Sequence, residues 1–152
     1  MTYQVRPAVL ADLPVLLSFE QGIIEAERPF DPTLKEGTIH YYDIGELIKS
    51  ETAEVLIVES NNEIVGSGYA KILAAKHFLD HKQYSYLGFM FIKEGHRGKQ
   101  VNKMIIDGLI AWSDSRNIKE IRLDVYEENV VAIRAYVKSG FKKHMVEMRL
   151  MR

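Results

Sequence analysis

Val125-Tyr126-Glu127-Glu128-Asn129-Val130-Val131-Ala132-Ile133-Arg134-Ala135-Tyr136-Val137-Lys138-Ser139-Gly140-Phe141 is the stretch on which the reading of the whole chain turns. Its apolar residues recur at helical spacing, which predicts a helix over Val130–Lys138. Asn129 stands where a helix N-cap belongs and Gly140 where a C-cap does. Tyr136 follows Asn129 by two helical turns and therefore shares its face. Singly, these are a cap, a core tyrosine and a second cap. Upstream, Ile121–Tyr126 alternates as a strand, so the unit is strand–loop–helix and needs a sheet to pack on.

Working outward, Tyr84–Ile92 is aromatic and β-branched enough to be a strand running through Gly88, and Val101–Arg116 is a helix. Gly95-His96-Arg97-Gly98-Lys99-Gln100 joins them. A helix N-terminus offers unpaired N–H groups and partial positive charge, so phosphate binds there readily, and Arg97, Lys99 and Lys103 add three cations. An ordinary basic loop capping a helix is the plain alternative. Tyr3–Arg6 reads as a strand closed by Pro7, and Ala11–Glu27 as a helix with Pro14 in its first turn. A second amphipathic stretch follows over Tyr41–Lys49. Val55–Val58 and Ile64–Ile72 form a hairpin around Ser60–Glu63. Ala74–Gln83 is polar and unassigned, and Val146–Met151 is a last strand. The order β-α-α-β-β-β-α-β-α-β is an α/β fold with a mixed central sheet flanked by helices.

The 152 residues make one domain, 1–152, with 47% hydrophobic and 27% charged residues. No apolar run reaches the ~18 residues of a membrane span. The polar opening predicts that the chain is not secreted, and zero cysteines exclude disulfides and thiolate catalysis by the protein. A cytoplasmic protein without membrane or nucleic-acid partners is expected, because no clustered basic stripe is present. The formal charge of -1 hides an asymmetry. Residues 1–92 carry 7 Lys/Arg and 13 Asp/Glu, whereas residues 93–152 carry 13 and 8. A basic half suits an anionic ligand and an acidic half a cationic one.

Together, Val125, Asn129, Ala132, Ile133, Ala135, Tyr136, Lys138, Gly140 and Phe141 strongly resemble the C-terminal motif of the GCN5-related N-acetyltransferases (GNAT). Arg97-Gly98-Lys99-Gln100-Val101-Asn102 looks like that family's pyrophosphate loop, Arg6-Pro7-Ala8 its opening strand and Ile64-Val65-Gly66 its third. The resemblance implies a sheet splayed between the fourth and fifth strands, with acetyl-CoA in the cleft and no metal. Its pyrophosphate would lie on Arg97, Gly98, Lys99, Gln100, Val101, Asn102 and Lys103, and its pantetheine on Met90, Phe91 and Ile92. It also implies direct attack of a primary amine on the thioester. Asn129 matches the pantetheine-contacting asparagine, and Tyr136 the tyrosine that donates to the sulfur.

Two departures qualify the resemblance. Gln100 and Asn102 replace small residues that let phosphate approach closely, which predicts weaker binding. Leu87-Gly88-Phe89-Met90 lacks the carboxylate that many members carry on this strand. Asp124 is the substitute base, sharing a strand face with Arg122 and Tyr126; pairing with Arg122, or a water chain as base, are the alternatives. The acceptor side is assigned to Glu27, Arg28, Phe30, Asp31, His40, Tyr41 and Tyr42, where Arg28 would hold a carboxylate and Glu27 or Asp31 an ammonium. Small molecules, amino acids and peptide ends are the acceptors considered. A catalytically silent acyl-CoA-binding or regulatory domain is the competing function. His77 and His81 have helical metal spacing but no accompanying Glu. Gly66-Ser67-Gly68 reads as a close-approach or bulge pair. Only 11 residues follow Phe141, too few for a full closing hairpin, which predicts a homodimer through the last strand.

Overall fold

A computed structural model describes residues 2–152; Met1, the first residue of the expected domain, lies outside the described residues. Five strands lie in the order β1 (Gln4–Pro7), β2 (Ala53–Ser60), β3 (Glu63–Ala74), β4 (Gln83–Ile92) and β5 (Ile121–Arg122). The first four are antiparallel neighbours, and β5 joins β4 in parallel. A parallel pair needs a crossover, and α3 (Val101–Ser115) supplies it.

Helices cover both faces of the sheet. Leu16, Phe19 and Ile23 of α1 (Leu13–Glu27) and Ile44 of α2 (Ile44–Lys49) pack with Val55, Ile57, Tyr69 and Phe89. On the opposite face Val101, Ile105 and Leu109 of α3 pack with Leu56, Val58, Val65, Ala70 and Leu87. Period-two alternation along β2 feeds one core and then the other, so neither helix layer can be lost without exposing a strand face. Trp112 joins the α3 side, partly buried, as does Phe141, which anchors α4 (Val130–Lys138).

Local chemistry sets the element ends. The expected first helix begins two residues later, after a short 3-10 turn over Leu10–Asp12. The Asp12 carboxylate accepts from the Val9 N–H at 2.8 Å and from both Arg6 terminal nitrogens at 2.9 and 3.0 Å. Arg6 also binds Glu59 at 2.7 Å, tying β1, β2 and the start of α1 together. Asp43 caps α2 by accepting from the Glu46 N–H at 3.2 Å, so that helix starts at Ile44 rather than Tyr41.

Two expected strands are corrected. β5 spans two residues, not Ile121–Tyr126, because the chain beyond Arg122 swings toward the end of α1. There Tyr126 packs on Phe30 with ring centroids 5.8 Å apart. Val146–Met151 forms no strand, and Val146, Met148 and Leu150 are 78%, 90% and 86% exposed. Alternation says which residues share a face; it does not supply a partner strand, and the short β5 offers little edge. Arg149 ties this tail to Asp31 at 3.1 Å.

The Arg6 guanidinium holds the Asp12 carboxyl below its usual range, ahead of the opposing effect of burial. A depressed folded-state value stabilises the protein above the unfolded Asp range and is lost as pH falls through the folded value. Arg6→Met should cost about 2 kcal/mol in urea unfolding at pH 7, and the gap should narrow below about pH 4. An equal gap at both pH values would contradict this role.

Candidate active site

The sheet splits at β4. Ser85 pairs with Ile121 and Tyr86 with Arg122, and there the ladder ends. From Leu87 to Ile92, β4 keeps β3 on one side and no strand on the other. A bulge lies within the same stretch: the β3–β4 register shifts between Ser67 and Tyr69, and Phe89 adopts a left-handed φ of 58°. Ser67 Oγ stabilises the bulge by donating to the Phe89 carbonyl at 3.1 Å. Gly68 is required opposite it, since a Cβ there would meet Met90 Sδ and Ile105 Cγ2 at 2.6 Å. The reading of Gly66–Gly68 as a close-approach or bulge pair is met at Gly68.

Past the bulge, Met90 and Ile92 lean toward α3, while Phe91 packs on Phe19 at 4.6 Å. Only backbone is then presented along the free β4 edge. The loop that follows runs into the N-terminus of α3, where no side chain caps the helix. Gly95 and Gly98 have φ of 91° and 75°, and Gln100 has φ of 69°. Gln100 thus occupies a left-handed position where glycine is unstrained. Arg97 Nε donates to the Ile92 carbonyl at 3.1 Å, fixing the loop over the strand end. Lys103 pairs with Asp107 at 2.6 Å, and Lys99 is exposed. Val101 is a core residue, 1% exposed, so only its backbone faces the loop; Asn102 is half-buried.

Beyond β5 the chain enters α4. Asn129 caps it by accepting from the Ala132 N–H at 3.3 Å. Tyr136 sits edge-on to Phe141 at 6.0 Å, and burial pushes its phenol up to about 12, with the Glu27 charge adding to the effect. Glu27, at the last turn of α1, is half-buried and forms no ion pair among the described residues. Burial holds its carboxyl above the usual range, and its charge acts on Tyr41, Tyr42, Tyr126 and Tyr136. The Tyr41 hydroxyl is buried beside it. Tyr126 donates to Asp31 at 3.5 Å.

Other acceptor-side residues are already engaged. Arg28 binds Glu25 at 2.9 Å and the carbonyls of Lys35 and Gly37 at 2.8 and 2.7 Å. Thr33 and then Arg149 hold the Asp31 carboxyl down to about 2. Phe30 backs Tyr126. Asp124 is exposed and accepts from the Tyr86 hydroxyl at 3.1 Å; it does not pair with Arg122, which binds Glu120 at 3.0 Å. His77 and His81 lie outside any helix, and no metal-binding group of side chains occurs among the described residues.

Sequence reasoning missed Glu20. It is 0% exposed, and one carboxylate oxygen accepts from the Tyr41 and Tyr42 N–H groups at 2.8 and 2.9 Å. Its other oxygen meets His40 Nδ1 at 2.8 Å. This buried acid shapes the loop that carries both tyrosines. Its only signal was a glutamate on the apolar stripe of α1. Tyr86, the donor to Asp124, was also missed.

The sequence matches the Acetyltransferase (GNAT) family over residues 21–141. The chain belongs to that family. Its fold is shared by solved structures of low sequence identity. A tetramutant of a Bacillus halodurans protein superposes with a TM-score of 0.84 at 20% identity, covering 98% of this chain and 99% of that one. A predicted acetyltransferase from Clostridium acetobutylicum, solved with acetyl-CoA, gives 0.73 at 19% identity over 99% and 96%. Glucosamine-6-phosphate N-acetyltransferase from Arabidopsis thaliana gives 0.72 at 17% identity over 99% of each chain. No curated protein matches the sequence. No helix among the described residues of this GNAT domain is long and apolar enough to cross a membrane.

Gln100→Gly should relieve the left-handed backbone and raise stability by about 1 kcal/mol. CoA affinity, read by titration, should stay equal or improve. A marked loss of affinity would instead give the Gln100 amide a phosphate contact of its own.

Proposed function

We propose that this domain is an acetyl-CoA-dependent N-acetyltransferase that transfers acetyl directly to a primary amine of a small molecule, amino acid or peptide. The observation that carries the reading is the parting of β4 from β5 beyond Tyr86 and Arg122, with an uncapped α3 at one end. The donor set fits acetyl-CoA. Backbone N–H groups of Val101, Asn102 and Lys103 hold its pyrophosphate, aided by the loop from Gly98 to Gln100 and by Arg97 and Lys99. The free edge of Met90, Phe91 and Ile92 pairs with pantetheine, and Asn129 borders the same channel. Bound there, the coenzyme supplies an activated acyl thioester.

In transfer the amine nitrogen bonds to the acetyl carbon, the carbon–sulfur bond breaks, and the electron pair leaves on sulfur. Tyr136 remains protonated at neutral pH, as a phenol pushed up to about 12 must, and donates to the departing sulfur. An ammonium must first lose a proton. Asp124, oriented by Tyr86, takes it in this scheme; Glu27, kept basic by burial, is the alternative carboxylate. Glu27, Phe30 and Tyr41 border the acceptor, with Arg28 and Asp31 holding the loop behind them.

Tyr136→Phe should cut turnover about a hundredfold with little change in acetyl-CoA affinity. Thiol release at the wild-type rate would reduce Tyr136 to a packing residue. Thiol release is also the discriminator from a silent acyl-CoA-binding domain, which Gln100 and the acid-free fourth strand favour. Asp124→Asn should abolish the acidic limb of the kcat/KM–pH profile. Loss of that limb in Glu27→Gln instead would move the base to α1.

The domain acts as a homodimer in this scheme. The supporting observation is the apolar tail, with Met145, Val146, Met148 and Leu150 all exposed and no ladder formed. Light scattering should give twice the chain mass for the full chain and a monomer after truncation at His144. A full-length monomer at high micromolar concentration would refute it.

A further inference from the structure

A cavity of about 750 Å³ opens on the α1/α2 face beside the point where the sheet splits. Its floor is β3 and β4, from which Tyr69, Lys71, Tyr84 and Tyr86 rise, and its rim is α2 with the loop before it. Tyr41 belongs to this lining and also lies beside Glu27, so it borders both the cavity and the acceptor side. Tyr86 belongs to it and donates to Asp124.

Charges on the lining differ in how they are used. Asp43 caps α2, and Glu46 pairs with Lys49 at 3.1 Å. Lys71 forms no ion pair among the described residues. Its ammonium is instead 5.8 Å from the ring centroids of both Tyr69 and Tyr86. Two aromatic faces hold the cation at the floor without neutralising it. A half-buried ammonium so placed is a ready partner for an anion entering the cavity.

Register sets Lys71 two residues along β3 from the start of the cleft. Lys71 is opposite Tyr86, and Tyr69 is opposite Gly88, at the bulge where the cleft begins. Two residues along a strand are about 7 Å. An α-amino acid, with carboxylate and amine on one carbon, is too short to bridge that span. An aromatic spacer fits both the length and the tyrosine walls.

The geometry points to Lys71 as a specificity-determining residue: the acceptor is an amine that also carries a carboxylate or phosphate about 7 Å away, held by Lys71 between tyrosines. This assignment rests on the N-acetyltransferase reading and deepens it. The test compares para-(aminomethyl)benzoate, para-(aminomethyl)phenyl phosphate and neutral para-methylbenzylamine as acceptors, by thiol release. A second arm titrates para-toluate, which has no amine, into the CoA-bound protein.

Wild type should favour an anionic amine over the neutral one by about tenfold in kcat/KM, the worth of one charge-assisted hydrogen bond. Lys71→Met should bring the two to parity, and Lys71→Arg should retain the preference. Preference for the phosphate alone assigns that anion, and preference for the benzoate assigns the carboxylate. Equal kcat/KM in wild type, or a preference that survives in Lys71→Met, overturns the role of Lys71. No thiol release from any amine, with para-toluate binding that Lys71→Met abolishes, overturns the acetyltransferase reading and leaves the anion site standing. Neither turnover nor Lys71-dependent binding overturns both.

Discussion

The parting of β4 from β5 after two residue pairs is the constraint on which the rest of the structure depends. Parallel strands joined through a helix would ordinarily continue side by side. Here the bulge at Phe89 and Met90 turns β4, while Tyr126, packed on Phe30, draws the chain after β5 toward α1. The consequence is a strand edge with unpaired backbone groups, opened inside the protein rather than at its rim. Exposed edges invite pairing, and in the proposed reaction this one is reserved for the coenzyme.

Each neighbouring element then takes its position from the split. The α3 N-terminus lies beyond the end of β4, leaving its first N–H groups without a side-chain cap. After β5, α4 carries Tyr136 edge-on to Phe141, which packs on the α3-side core. On the remaining side, Glu20 organises the loop that carries Tyr41 and Tyr42. A buried carboxylate is costly unless its oxygens are hydrogen-bonded, and this one is used to fix backbone rather than to react.

Much of this was legible in the sequence. Helical spacing with Asn129 and Gly140 at its ends gave α4 to the residue, and the glycines at 66 and 68 announced a close approach that the Met90 and Ile105 side chains now explain. The short β5 and the missing last strand were not legible. Alternation in Ile121–Tyr126 and Val146–Met151 states a preference for extended backbone, but pairing depends on what lies alongside, which is a property of the whole sheet. Asp124 was placed by strand periodicity and found its partner instead in Tyr86, a residue distant in sequence. Glu20 and Lys71 were passed over for the same reason. A single glutamate in an apolar stripe, or a single lysine in a strand, acquires meaning only from the side chains that surround it.

The central claim is that the opened β4 edge and the α3 N-terminus together form the coenzyme site. Amide hydrogen exchange with and without CoA tests it most directly, because it reads backbone N–H groups and needs neither an acceptor nor turnover. The account predicts slowed exchange confined to two segments, Met90–Ile92 and Gly98–Lys103, with the core strands β2 and β3 unchanged. Binding of CoA that left both segments exchanging as in the free protein would contradict it.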